Sequence, residues 1–172
     1  MVQSMISELF KKSVLIFGCG NILYGDDGYG PAVIQRLKEH YQVPDDVLAL
    51  DVGTSVRDIL FDLVLSDKKP KKIFIIDAVE YPNRKPGEVF EIPVEGIPDK
   101  KISDFSLHQF PTVNMLQELQ EHSPIDIKII VAQIELIPEE VTPGLTPTMA
   151  NAVEATCHRL LAEIGAGASV PI

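Results

Sequence analysis

Cysteine is scarce in this chain of 172 residues, with only Cys19 and Cys157, and tryptophan is absent. Two thiols exclude a disulfide scaffold and a four-cysteine zinc site. No apolar stretch approaches the roughly 20 residues that a membrane-spanning helix needs. Positive charge is also short: 15 Lys and Arg stand against 25 Asp and Glu, a formal net charge of −10. Such a chain repels phosphate backbones and anionic lipid, so neither nucleic acid nor a membrane is expected as a partner. The one local concentration of lysines, Lys68, Lys69, Lys71 and Lys72, precedes a strand-like run and reads as a solvated turn. A secretory leader carries its charges ahead of its apolar residues, whereas Lys11 and Lys12 follow them here. The expected location is the cytoplasm. With 45% hydrophobic and 23% charged residues, the chain is neither disordered nor low-complexity. Its length suits one domain, residues 1–172, with no repeat or linker.

Short apolar runs alternate with helical patterns. Residues 13–17 form the first run and end in Gly18-Cys19-Gly20; Pro31 then opens a helix with Val33, Ile34 and Leu37 on one face. A second strand, 47–50, ends at Asp51, and Ser55 with Asp58 resembles a capping box before a second helix. The run 73–76 is the most hydrophobic strand and ends at Asp77. Residues 88–93 alternate between prolines, as an edge strand does. After a long loop, Ser106 and Gln109 have capping-box spacing ahead of a helix with Val113, Leu116 and Leu119. A last strand, 128–133, precedes a helix capped by Thr146-Pro147, and the tail from Gly165 has no periodicity and is expected to fray. This order predicts an α/β three-layer sandwich, with helices on both faces of a mostly parallel twisted sheet of five or six strands.

In such folds ligands gather beyond the carboxyl ends of the strands. Asp26 and Asp27 follow the first strand, Asp51 and Asp77 end the second and third, and His108 opens the helix after the fourth. The glycine loop fails as a dinucleotide fingerprint. Leu23 stands where the third glycine belongs, Asp51 lies well beyond the ribose-binding position, and Asp26 and Asp27 put negative charge where a pyrophosphate would sit. Carboxylates with a neutral imidazole instead suit a borderline divalent ion such as zinc or nickel, and Asp27, Asp77 and His108 could supply them. Plainer roles compete: Asp-Asp-Gly is commonly a turn whose acid accepts local N–H groups, and an aspartate at a strand end is commonly a loop brace. Cys19 in the glycine loop is a possible nucleophile but reads better as a small buried side chain. Cys157 falls on the apolar stripe of the last helix, and His40, His122 and His158 occupy structural positions.

The run Gly18-Cys19-Gly20-Asn21-Ile22-Leu23-Tyr24-Gly25-Asp26-Asp27-Gly28-Tyr29-Gly30 resembles the opening motif of the nickel–iron hydrogenase maturation endopeptidases. The likeness continues, in the family's order, through Asp51-Val52-Gly53-Thr54, Ile76-Asp77-Ala78, Ser106-Leu107-His108-Gln109 and Gly144-Leu145-Thr146-Pro147. The resemblance implies an endopeptidase that removes the C-terminal extension of a hydrogenase large-subunit precursor after nickel insertion. It assigns metal contact and catalysis to Asp27, Asp77 and His108, with the nickel brought by the precursor as the recognition element. It also suggests an archaeal deazaflavin-reducing hydrogenase as client and a protease that works as a monomer. Many family members carry glutamate where this chain has Asp27, whose carboxylate reaches about one methylene less far. The loops 94–104 and 137–143 are expected to flank the site and contact the precursor. A non-catalytic assembly factor that binds the nickel-loaded precursor is the first rival reading, and a small enzyme using a divalent ion on another substrate is the second.

Overall fold

The computed structural model describes residues 8–9, 11–97 and 110–166. Five strands, β1 (Val14–Cys19), β2 (Val47–Gly53), β3 (Lys72–Val79), β4 (Val89–Ile92) and β5 (Asp126–Gln133), form one sheet in the order β2-β1-β3-β5-β4. All neighbours are parallel except β4, which runs antiparallel to β5 at the edge. Among the described residues, α1 (Tyr29–His40), α2 (Val56–Leu65) and α3 (Phe110–His122) connect strands, and α4 (Pro147–Glu163) follows β5. The expected sandwich forms, with five strands.

Apolar runs without polar alternation are what a sheet covered on both faces requires. After Lys72 every residue of β3 is buried. Its alternate side chains feed two cores. Ile73, Ile75 and Val79 pack with Phe17, Leu60, Leu63, Leu116 and Leu119 beneath α2 and α3. Phe74, Ile76 and Ala78 pack with Ile16, Val33, Leu37, Val153 and Leu160 beneath α1 and α4. The Tyr29 hydroxyl bonds to Thr156 Oγ1 and pins α1 to α4 inside that second core; burial holds this phenol well above its ordinary pKa.

Several boundaries differ from the sequence reading for local reasons. The helix expected from Pro31 begins at Tyr29, after a 3-10 turn over Gly25–Gly28; proline is tolerated in the first turn because its missing N–H has no intrahelical partner there. Ser55 precedes α2 but its side chain caps nothing, so the capping box does not form. The lysine cluster is not simply solvated: Lys69 Nζ donates to the carbonyls of Leu63 (2.5 Å) and Val64 (3.1 Å) and closes the C-terminus of α2. Thr146 does cap α4, its Oγ1 accepting from Met149 N–H at 3.5 Å. Gly165 and Ala166 close that helix, Ala166 N–H donating to the Leu161 carbonyl at 3.0 Å; the rest of the tail expected to fray, 167–172, lies outside the described residues. The capping box proposed at Ser106 and Gln109 lies outside the described residues.

The feature that positions a site is the divergence of β1 from β3. Their pairing ends at Gly18 opposite Ile76, after which β1 shifts register and follows β2, with Cys19 opposite Gly53. Beyond that point β3 continues with β5 alone through Asp77, Ala78 and Val79. The start of α1 packs closely against this opening. A Cβ at Gly30 would lie 2.2 Å from the Cys19 carbonyl oxygen and 2.5 Å from that of Ile76, distances no side chain tolerates. Gly30, rather than the missing third glycine of a nucleotide loop, lets helix and sheet meet here. Replacing Gly30 with Ala forces apart elements whose packing is already dense, and we expect a loss of about 2–3 kcal/mol, measured by urea unfolding.

Candidate functional site

Three aspartates, Asp26, Asp27 and Asp77, are fully buried, the only carboxylates so placed among the described residues. Burying a carboxylate is costly unless it accepts several hydrogen bonds or serves a bound cation. The three solve this problem differently.

Asp26 is held by donors distant in sequence. Its Oδ2 accepts from the backbone N–H groups of Glu135 (3.0 Å) and Leu136 (2.9 Å). Its Oδ1 accepts from the N–H (2.8 Å) and hydroxyl (2.9 Å) of Thr146. The acid is therefore a tie between the β1–α1 turn and the β5–α4 loop, not the local turn brace that Asp-Asp-Gly suggests. Backbone bonds complete the lacing: Gly25 N–H donates to the Thr142 carbonyl (2.9 Å) and Thr142 N–H to the Leu23 carbonyl (2.8 Å). Thr146 takes part twice, as cap of α4 and as donor to Asp26.

Asp27 is the next residue of the same 3-10 turn, and its Oδ2 accepts from Asn21 N–H at 2.9 Å. The chain doubles back tightly to allow this. Gly20 has φ of +133°, and a Cβ there would lie 1.9 Å from the Asp27 carbonyl oxygen, so only glycine fits.

Asp77 was expected to end its strand, yet β3 runs two residues further and pairs Asp77 with Val131. Hydrogen bonding to β5 carries the strand past the point where β1 departs. By alternation Asp77 belongs to the row of Ile73, Ile75 and Val79, which makes it an acid in an otherwise apolar stripe. Its Oδ1 accepts from Ala78 N–H at 2.8 Å. The turn carrying Asp27 packs against β3, and Asp77 lies on β3 just past its pairing with β1, where a crevice opens at the topological switch point of this sheet.

His108 lies outside the described residues, two positions before the start of α3. Among the described residues no group of three His, Cys, Asp or Glu side chains could hold a metal ion. The two acids supply hard oxygen donors, and an imidazole would complete a set suited to a borderline divalent ion.

The other candidates fall away from this crevice. Asp51 does act as a loop brace, accepting from Gly53 N–H at 2.9 Å. It also borders a cavity of about 460 Å³ beside the turn, together with Ile22, Pro31, Gln35 and Leu145. Cys19 is fully buried. Cys157 lies in the core, where burial, with Glu154 adding to it, pushes its thiol up to about 12; neither cysteine has the exposed thiolate a nucleophile needs. His158 pairs with Glu154 (3.3 Å) on the surface of α4, and His40 and His122 end α1 and α3.

Exchanging Asp26 for Asn keeps the size but sets an amide N–H against donors. We expect a loss of about 3 kcal/mol, read from urea unfolding, and faster amide hydrogen exchange at Glu135, Leu136 and Thr146.

Residues 31–163 match the hydrogenase maturation protease family model. The chain is 36% identical over 160 residues to the coenzyme F420 hydrogenase subunit delta of Methanothermobacter thermautotrophicus, covering 91% of this chain and 97% of that one. It is 29% identical over 153 residues to the hydrogenase 2 maturation protease of Escherichia coli, covering 88% and 90%. The structure of the hydrogenase maturating endopeptidase HybD from E. coli superposes with a TM-score of 0.67 at 28% identity, over 92% of this chain and 96% of that one. On sequence and fold alike, the chain belongs to the hydrogenase maturation protease family.

Proposed function

We propose that this endopeptidase removes the C-terminal extension of a nickel–iron hydrogenase large-subunit precursor, and that it reads the nickel already inserted there before it cuts. The observation that carries the reading is the pair of fully buried carboxylates, Asp27 in the turn after β1 and Asp77 on β3 just past its pairing with β1, in a chain of this family. In this reading His108 supplies the third contact from the segment ahead of α3. The precursor brings the nickel as part of the substrate, and the protease acts on it in the cytoplasm as a monomer. The likeness to a coenzyme F420 hydrogenase subunit makes a hydrogenase of that kind the proposed client.

The chemistry asked of the site is modest. Hydrolysis adds one water across the scissile amide: the carbonyl carbon gains oxygen, the C–N bond breaks, and the leaving nitrogen takes a proton. A divalent ion near the amide polarises the carbonyl or acidifies the attacking water. In this reading Asp27 and Asp77 orient that ion, and a rim carboxylate is the candidate acceptor of the water's proton. Burial favours this role. In a crevice with little water, an acid and a cation attract each other more strongly than at the surface. Asp27 is held by Asn21 N–H and by a turn that Asp26 anchors, so its reach is fixed before the precursor arrives.

Asp27→Asn and Asp77→Asn keep the shape of each side chain and remove its charge, and His108→Ala removes the imidazole. We expect each to leave the circular dichroism spectrum unchanged and to slow processing at least 100-fold, followed by intact mass of the precursor. Normal cutting by any one of them removes that residue from the site. Precursor prepared without nickel should stay uncut by the wild-type protein; equal rates with and without nickel would end the gating idea. Stable binding of the loaded precursor without any mass change would instead identify an assembly factor.

A further inference from the structure

The two loops that Asp26 ties together expose more apolar surface than their lengths require. Ile22 and Leu23 in one, and Leu136 and Val141 in the other, are between 44% and 59% exposed. Tyr24 and Thr142 form a parallel bridge. In a parallel pair the preceding residues also stand side by side, so Leu23 and Val141 belong to one patch. Leu136 joins it through its backbone bonds to Asp26. The patch is held on a fixed frame: its backbone is cross-linked by the Asp26 carboxylate and by the two Thr142 bonds. Its surroundings have one sign of charge. Glu135, Glu139 and Glu140 are exposed in the β5–α4 loop, and neither residues 20–28 nor residues 134–146 contain Lys, Arg or His.

We propose, resting on the function above, that this rigid apolar patch with its acidic border is the docking surface for the body of the precursor. The matching face on the precursor is apolar at its centre and bordered by lysines or arginines. Contiguous exposed apolar groups mark interaction sites when they are rimmed by polar residues. The division of labour follows from general interface physics: the desolvated centre holds the complex, and the charged rim speeds encounter. The patch also shares the turn that carries Asp27, so docking on it sets the precursor's position relative to the buried acids. Two observations support a protein surface as occupant rather than a small molecule. The patch spans two loops, and Leu23, Leu136 and Val141 are exposed, Ile22 at its margin also bordering the cavity beside the turn.

The test uses full-length protein and purified nickel-loaded precursor, with binding followed by surface plasmon resonance and cutting by intact mass. The double variant Leu23→Ser, Val141→Ser should weaken binding at least tenfold and raise KM with kcat unchanged at saturating precursor. The triple variant Glu135→Gln, Glu139→Gln, Glu140→Gln should slow association about tenfold at low salt and flatten its dependence on ionic strength. These side chains are exposed, so both variants should keep the wild-type melting temperature; the triple variant alters no apolar group and stands as an independent check on the double. Affinity and KM unchanged within twofold in both variants, with normal cutting, would overturn the patch and leave the proposed function standing. Weakened binding in the variants, with no cutting even by the wild type, would uphold the patch and overturn the proposed function.

Discussion

A single buried carboxylate organises the edge of this sheet. Asp26 sits without solvent contact, and its carboxylate accepts from four donor groups on two stretches of the β5–α4 loop. Charged acceptors bind backbone N–H groups about twice as strongly as neutral ones do, so the desolvation cost is offset only while all the donors stay in place. That requirement couples distant parts of the chain. The β1–α1 turn cannot move without stranding a charge, and the loop leading to α4 cannot move without losing its anchor. Asp27, one residue on, inherits a fixed position from this arrangement. So do the apolar residues that the two loops present outward.

The crevice itself is a consequence of strand order. With β2 and β3 on opposite sides of β1, the connections leave the sheet in opposite directions at its carboxyl edge, and a gap opens between β1 and β3. Gly30 lets α1 close on that gap without filling it, because no side chain intrudes between helix and sheet. Asp77 then stands at the wall of the gap, an acid in the stripe that elsewhere carries Ile73, Ile75 and Val79. Local packing would prefer an apolar residue there. An acid kept at such a position is the kind of conflict between folding and chemistry that functional sites display.

Much of the architecture was readable because it depends on short-range pattern. Uninterrupted apolar runs gave the strands, and the antiparallel β4 sits where alternation between prolines placed an edge. The motif around Gly20 and Asp27 was legible because the tight turn demands glycine at one position. Harder to read were features with partners far along the chain. Asp26 and Asp27 are neighbours of the same residue type, and nothing local says that one clamps a loop over 100 residues away while the other accepts from Asn21 within its own turn. Ser55 had the spacing of a cap and does not cap, whereas Lys69, read as a turn residue, closes α2. Capping depends on angles that spacing alone does not fix.

By itself, then, the amino-acid order determined the α/β class, the approximate strands and helices, and the family resemblance, since each rests on residues close together or on motifs kept in sequence. Only the tertiary structure decided that Asp77 lies within its strand rather than at its end, because β5 continues to pair with β3 after β1 has turned away. It also decided which loops touch. The Tyr24–Thr142 bridge and the Asp26 clamp join segments separated by more than 100 residues, and contacts of that kind arise from how the sheet is wound.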